Sequence, residues 1–318
     1  MKRQFDFLEN MFVNLGFSSG MKDKRELVTR EEVFKCFKQY SNLFCRTDSK
    51  ELWKYKNMGI MLKVHHARQY LDMCKVDTHS GVLNCLSLGT SSETMEKIAR
   101  QYRFVLENAD SVSVKERINY IYVNVVLNCI KPESQCCVPY KTLLDILCKV
   151  LHGQIPLEDH LALYFITISL LWPQIVLVPP ETERLEQYIS HMRISYHAVM
   201  KEVCNGKWPV IHFYLGKKQS YGKLIHFAAI ESCVKEQEQV GSLFKNGKLW
   251  KEKKVEALLC RVTGEVQGSA ILADTCIPNL KVKVNPMHRS QLSGRAFGSK
   301  VSFFIGFSMK GPLAIDID

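Results

Sequence analysis

At 318 residues, 46% hydrophobic and 24% charged, the chain has the balance of a folded globular protein and the length for two domains, which excludes wholesale disorder. The formal charge of +11 is uneven: residues 1–200 hold 25 Lys+Arg against 22 Asp+Glu, whereas residues 201–318 hold 18 against 10. The cationic field therefore belongs to the C-terminal part, where it attracts nucleic acid, acidic protein or anionic lipid without choosing among them.

Residues 1–205 read as a series of amphipathic helices. Thr29 with Glu32 forms a capping-box pattern ahead of a stripe at Val33, Phe37, Tyr40 and Phe44. A second helix from about Lys50 carries Ile60, Val64, Ala67, Leu71 and Cys74. Thr90 with Glu93 opens a third, with Met95, Ile98, Tyr102 and Val105 on one face; Ser113 with Glu116 opens a fourth that is apolar on most sides from Ile118 to Ile130, which predicts a central position. Pro139 starts a fifth with Leu143, Leu147 and Val150, and a sixth runs from Leu157 to Trp172. The seventh follows Pro180, where Leu185, Ile189, Met192, Tyr196, Val199 and Val203 alternate fours and threes until Gly206. Helices joined by short turns must stack to bury their stripes, so the expectation is an all-helical, repeat-like, tetratricopeptide-like array without a strict sequence period.

Leu161 to Pro180 is a twenty-residue stretch without charge, the length of a membrane span. Pro173 interrupts it, and acidic residues flank it at Glu158, Asp159 and Glu181. The reading is a buried helix followed by an extended exit, and a chain that is not transmembrane. The twelve cysteines form no C-x-x-C pair, and the charged N-terminus does not read as a signal peptide. They are taken as small core residues of a reducing compartment, with no metal.

Over 206–318 the period changes to two. Pro209–Gly216, Arg261–Val266, Ala270–Asp274, Asn279–Val284, Lys300–Ser308 and Pro312–Ile317 read as strands, with a short helix near Lys248–Leu259 after the Asn246-Gly247 turn. Short strands with one helix predict a small closed β-barrel of the oligonucleotide/oligosaccharide-binding (OB) kind, giving an α+β chain in two domains, 1–205 and 206–318.

Several strings are familiar: Ile211-His212-Phe213-Tyr214-Leu215-Gly216-Lys217-Lys218, the Asn246-Gly247-x-x-Trp250-Lys251 turn, Leu258-Leu259-x-Arg261-Val262-x-Gly264, and the tail from Val301 to Ala314. Together they resemble the C-terminus of the sterile-alpha-motif-domain-containing protein nine and nine-like family over residues 205–318; over 1–204 the resemblance rests on helical character and position. It implies the end of a much larger cytoplasmic effector of innate antiviral defence and growth restraint, associated with endosomes. The upstream parts it also implies, a sterile alpha motif, a nuclease-like effector domain, a sirtuin-like segment and a nucleotide-binding switch, are not visible here. No G-x-x-x-x-G-K-[ST] loop occurs, and Gly16 to Lys22 has the wrong spacing.

No pattern marks a catalytic centre. His65, His66, His191 and His197 lack carboxylate or thiol partners at ligand spacing on their helices, and no G-x-S-x-G is present. The expectation is therefore a non-enzyme without cofactor: a protein-interaction and regulatory module whose partners are proteins or the rest of a larger effector. The alternative is a module binding RNA or single-stranded DNA on a basic barrel face. Lys251 and Lys254, within the run Lys245, Lys248, Lys251, Lys253 and Lys254, would join Lys281, Lys283 and Arg289 in contacting phosphates or an acidic partner. Alternation turns Phe213 and Phe303 inward, leaving Tyr214 and Phe304 as stacking candidates.

Overall fold

The computed structural model describes residues 53–74, 76–77, 82–83, 92–156, 159–173, 181–191, 211–218, 221–234, 240–308 and 311–318. The chain divides into two compact units, Met1–His66 and Ala67–Asp318. Helix α1 (Trp53–Met73) spans the division, and its expected stripe is buried at Val64, Ala67 and Leu71. The helix expected behind Thr29 and Glu32 lies outside the described residues. So do the second half of the seventh helix and the expected boundary at Gly206.

A two-residue antiparallel pair, β1 (Val76–Asp77) and β2 (Val82–Leu83), lies between α1 and α2 (Ser92–Asn108), which buries Met95, Ile98, Tyr102 and Val105. Helix α3 (Val114–Ile130) begins with the predicted capping box: the Glu116 backbone N–H donates to Ser113 Oγ at 3.1 Å, and the Ser113 N–H donates to Glu116 Oε2 at 2.8 Å. Arg68 Nε adds a donor to Glu116 at 2.6 Å and ties α1 to the start of α3. Its burial is continuous from Ile118 to Leu127, so polar side chains are caught as well; Asn124 is accommodated by donating back to Tyr120 O at 2.9 Å. The central position expected of this helix is observed. It packs on α2, on α4 (Tyr140–Leu151), on α5 (His160–Ser169) and on strand β4 (Tyr221–His226). Pro139 occupies the cap position of α4, where a missing N–H costs nothing.

The sixth helix was expected to reach Trp172, but α5 ends at Ser169. The residue before a proline is driven out of the helical region, so Trp172 leaves the helix ahead of Pro173. Leu170, Leu171 and Trp172 stay buried and turn onto the sheet. Residues 181–191 form α6, which buries Leu185 and Ile189.

Strands β3 (Ile211–Lys218), β4, β5 (Arg261–Gln267), β6 (Ala270–Asp274), β7 (Lys281–Pro286), β8 (Lys300–Ser308) and β9 (Gly311–Ile315) form a sheet ordered β4-β3-β8-β5-β6-β7-β9, with β8 also pairing β9. That last pairing closes β5 to β9 into a five-stranded barrel, and β3 and β4 extend from β8. Within the ring only β7–β9 is parallel. Gly264 is required by the tight β5–β6 approach: a Cβ there would lie 2.8 Å from Leu272 O and 2.7 Å from Ile271 Cγ2. Between β4 and β5 the chain forms a helical cap from α7 (Phe227–Glu231), α8 (Val240–Lys245), a 3-10 turn (Lys248–Lys251) and α9 (Lys253–Leu258).

The helices and the barrel interior contribute to one continuous core, in which Tyr122, Phe165 and Phe213 meet at centroid distances of 5.8–6.1 Å. Polar links join the same two parts. Trp172 Nε1 donates to Asp274 O at 2.9 Å, and the Cys276 N–H donates to Leu171 O at 3.1 Å. A second core lies between the cap and the outer face of the sheet and holds Tyr214, Leu249, Trp250, Val255, Phe304 and Ile315.

Candidate interaction surface

Among the described residues, the cations expected to make contact fall in two regions of the C-terminal part, and the two differ in how their charge is used. On β7 burial alternates strictly, placing Lys281 and Lys283 outside and Val282 and Val284 inside, as the alternation requires. Lys281 Nζ lies 3.5 Å from Asp274 Oδ1 and 3.6 Å from Glu265 Oε1. Asp274 accepts a further bond from Thr263 Oγ1 at 2.9 Å. This strand face is thus a mixed ion-pair surface rather than a cationic track. Lys283 pairs in register with half-buried Leu272, and the side chain of Arg289 lies outside the described residues.

The second region is the cap, where Lys245, Lys248, Lys251, Lys253 and Lys254 are all exposed. Among the described residues none of the five is held in an ion pair. The platform under them is well anchored. Leu249, Trp250 and Val255 are buried, and Trp250 packs on Tyr214 at 5.5 Å and on Phe244 at 5.7 Å.

Tyr214 and Phe304, expected to be available for stacking, are buried at 0% and 1% exposure. The alternation itself holds, since Phe213 and Phe303 point into the barrel-side core; both faces of β3 and β8 are covered, one by the helices and barrel interior, the other by the cap. Phe304 is further roofed by Arg261, whose guanidinium stands 4.4 Å from the ring centroid. Arg261 in turn binds Asp316 Oδ2 at 2.6 Å and Asp318 Oδ2 at 2.8 Å. Sequence reasoning missed this role; the signal for it is the cross-strand register Arg261↔Phe304.

The thiols and imidazoles with displaced titration owe their shifts first to burial. Burial pushes the Cys148 thiol up to about 11 and also raises Cys129 and Cys137, which disfavours their thiolates. Burial, then the neighbouring His226, lowers His212 to about 4; burial also lowers His226. His65, His66 and His191 are exposed, and His197 lies outside the described residues. Among the described residues no three His, Cys, Asp or Glu side chains gather for a metal ion, and no helix is long and apolar enough to cross a membrane.

Comparison with curated proteins places this arrangement. The whole chain aligns with sterile alpha motif domain-containing protein 9 of Homo sapiens at 32% identity, and with the 9-like proteins of Homo sapiens at 31% and Mus musculus at 29%. The chain is similar throughout to the C-terminal region of the sterile alpha motif domain-containing protein 9 and 9-like family. It spans about a fifth of the length of these relatives. The similarity to the 9 and 9-like proteins takes in the helices as well as the barrel, wider than the strings in 205–318 that carried the resemblance. No family model and no solved structure matches.

Proposed function

We propose that the chain is a non-catalytic interaction and regulatory module, working with the remainder of a larger protein of the sterile alpha motif domain-containing protein 9 kind or with protein partners of it. The observation that carries this reading is the similarity of the whole chain, helices and barrel together, to the C-terminal region of those proteins. The shared core supports treating the two parts as one working unit. A cytoplasmic setting, endosome association and a role in antiviral defence and growth restraint belong to the same proposal, by resemblance.

The barrel supports an OB-like reading. Counted in chain order from β5, its ring runs first, second, third, fifth, fourth and back to first, with the third and fifth strands parallel. The tetratricopeptide-like reading of the helices is supported by the packing of α2 on α3 and α3 on α4. Nucleic-acid binding finds no support in the buried Tyr214 and Phe304 or in the ion-paired Lys281.

The test is association. The purified chain is titrated against human sterile alpha motif domain-containing protein 9 lacking its own C-terminal fifth, with interferometry as readout. Saturable, stoichiometric binding is expected, and no association at micromolar concentrations overturns the reading.

A further inference from the structure

We infer that the lysine-bearing cap of the barrel, from Lys245 to Lys254, is a docking surface for an acidic polypeptide segment. The inference rests on the interaction-module reading and gives that module its surface and the chemistry of its partner.

Among the described residues the fold leaves charge unused at the cap. Arg68, Lys131, Arg261 and Lys281 all sit in ion pairs with carboxylates of this chain. The five cap lysines, within ten residues of sequence, have no such pair among the described residues; the same segment offers Glu252 and Glu256, both exposed, against them. Such a concentration of like charge is self-repelling within a Debye length of roughly 8 Å at physiological salt, a repulsion that an external anion relieves.

Local geometry holds the lysines in place. Asn246 Oδ1 accepts the Lys248 N–H at 3.0 Å and Gly247 takes φ 73°, which fixes the turn into the 3-10 segment. Lys248 and Lys251 stand three residues apart in that segment and share one face. Trp250, pointing the other way, locks the segment to the sheet through Tyr214.

The nature of the anion follows from what accompanies the lysines. Tight binding of single-stranded nucleic acid adds base stacking on exposed rings to phosphate contacts, and the rings here are turned inward, with Trp250 3% exposed and Tyr214 fully buried, so the cap offers no stacking platform. Stable anchoring of an amphipathic helix on a membrane adds inserted apolar side chains to the attraction of its lysines, and here Leu249 and Val255 are buried. Spaced carboxylates on a polypeptide require only ammonium groups on long flexible stems, which is what the cap presents.

The experiment uses the whole chain and a fluorescein-labelled poly-glutamate peptide, followed by anisotropy at low and at physiological salt. We expect binding that weakens with salt, a loss of about ten-fold or more in the triple variant K248E/K251E/K254E, and a change within about two-fold in K281E/K283E. Circular dichroism checks that each variant is folded. Equal binding by the chain and the triple variant overturns the inference. So does tighter, cap-dependent binding of single-stranded RNA or of phosphatidylserine vesicles, which would assign the surface to nucleic acid or to membrane. The module reading is separated from this one by repeating the association with the truncated human relative. If the triple variant associates as well as the unaltered chain, the cap inference fails and the module stands; if neither associates, the module reading fails.

Discussion

Trp172→Ala tests whether the helices of the second unit and the barrel are one cooperative structure. Trp172 is 5% exposed, its ring lies 5.4 Å from that of Phe307 on β8, and its indole N–H donates to Asp274 O on β6. It comes from the segment just after α5, so one side chain joins the helical part to two barrel strands. Truncating a buried tryptophan costs about 3–5 kcal/mol, from lost apolar burial and the cavity left behind. With a urea dependence of about 3 kcal/mol per M for a unit of this size, the midpoint should fall by roughly 1 M. The assay is urea unfolding followed by far-ultraviolet circular dichroism, which reports mainly the helices, and by fluorescence of the remaining tryptophans, Trp250 in the cap among them. If the core is continuous, both probes show one transition and both shift together. Two separated transitions, with the substitution moving only one, would refute the shared-core argument.

Three other perturbations have defined outcomes. Arg261→Ala removes the roof of Phe304 and the partner of Asp316 and Asp318, and should cost about 2 kcal/mol; hydrogen exchange at the amide of Asp318, which donates to Ser302 O at 2.9 Å, should accelerate more than exchange in β6. Gly264→Ala puts a methyl group against the backbone oxygen of Leu272 and should destabilise by about 1–3 kcal/mol in thermal unfolding. Stability should decline on acidification: His212 stays neutral in the fold down to about 4 whereas the unfolded chain takes its proton near 6.5, so up to about 3 kcal/mol is lost as pH falls through 6.5 toward 4. His226 and His160, lowered chiefly by burial, act in the same sense. Glu116, where burial is outweighed by bonds from Arg68 and Ser113, loses its contribution only below its ordinary value of 4.5. His212→Gln should flatten the slope between pH 6.5 and 4.5, measured as urea midpoints across that range.

What could be read from the residues was whatever depends on neighbours in sequence. Ser113 and Glu116 announced α3 because a capping box is complete within four residues, and β6 and β8 fell at the expected residues because the alternation of side chains between two faces is a local property of the chain, even where both faces are buried. Strand β4 escaped notice: Gly222 and Lys223 interrupt its alternation, and it follows β3 after two residues. Tyr214 and Phe304 were misjudged for a different reason. Alternation says which residues share a face of a strand, but the cover over that face comes from a cap more distant in sequence. The docking of Trp172 belongs to the same class: Pro173 marks locally that the helix must stop, but the oxygen that Trp172 binds lies 102 residues away.

Cations in this chain sort by what surrounds them, and the sorting links stability to binding. Arg261 and Lys281 have carboxylate partners at the barrel surface, so salt screens an attraction there and should weaken it. Among the described residues of their segment the five cap lysines have one another and two exposed glutamates, Glu252 and Glu256, so salt screens a net repulsion and should firm the segment. An acidic partner relieves the same repulsion, and its binding is then worth part of the cap's folding stability. Raising salt should therefore slow hydrogen exchange at Lys251 to Leu258 while weakening capture of poly-glutamate. A solvating charge run with no partner would show the first effect without the second, whereas a docking surface built from these lysines must show both.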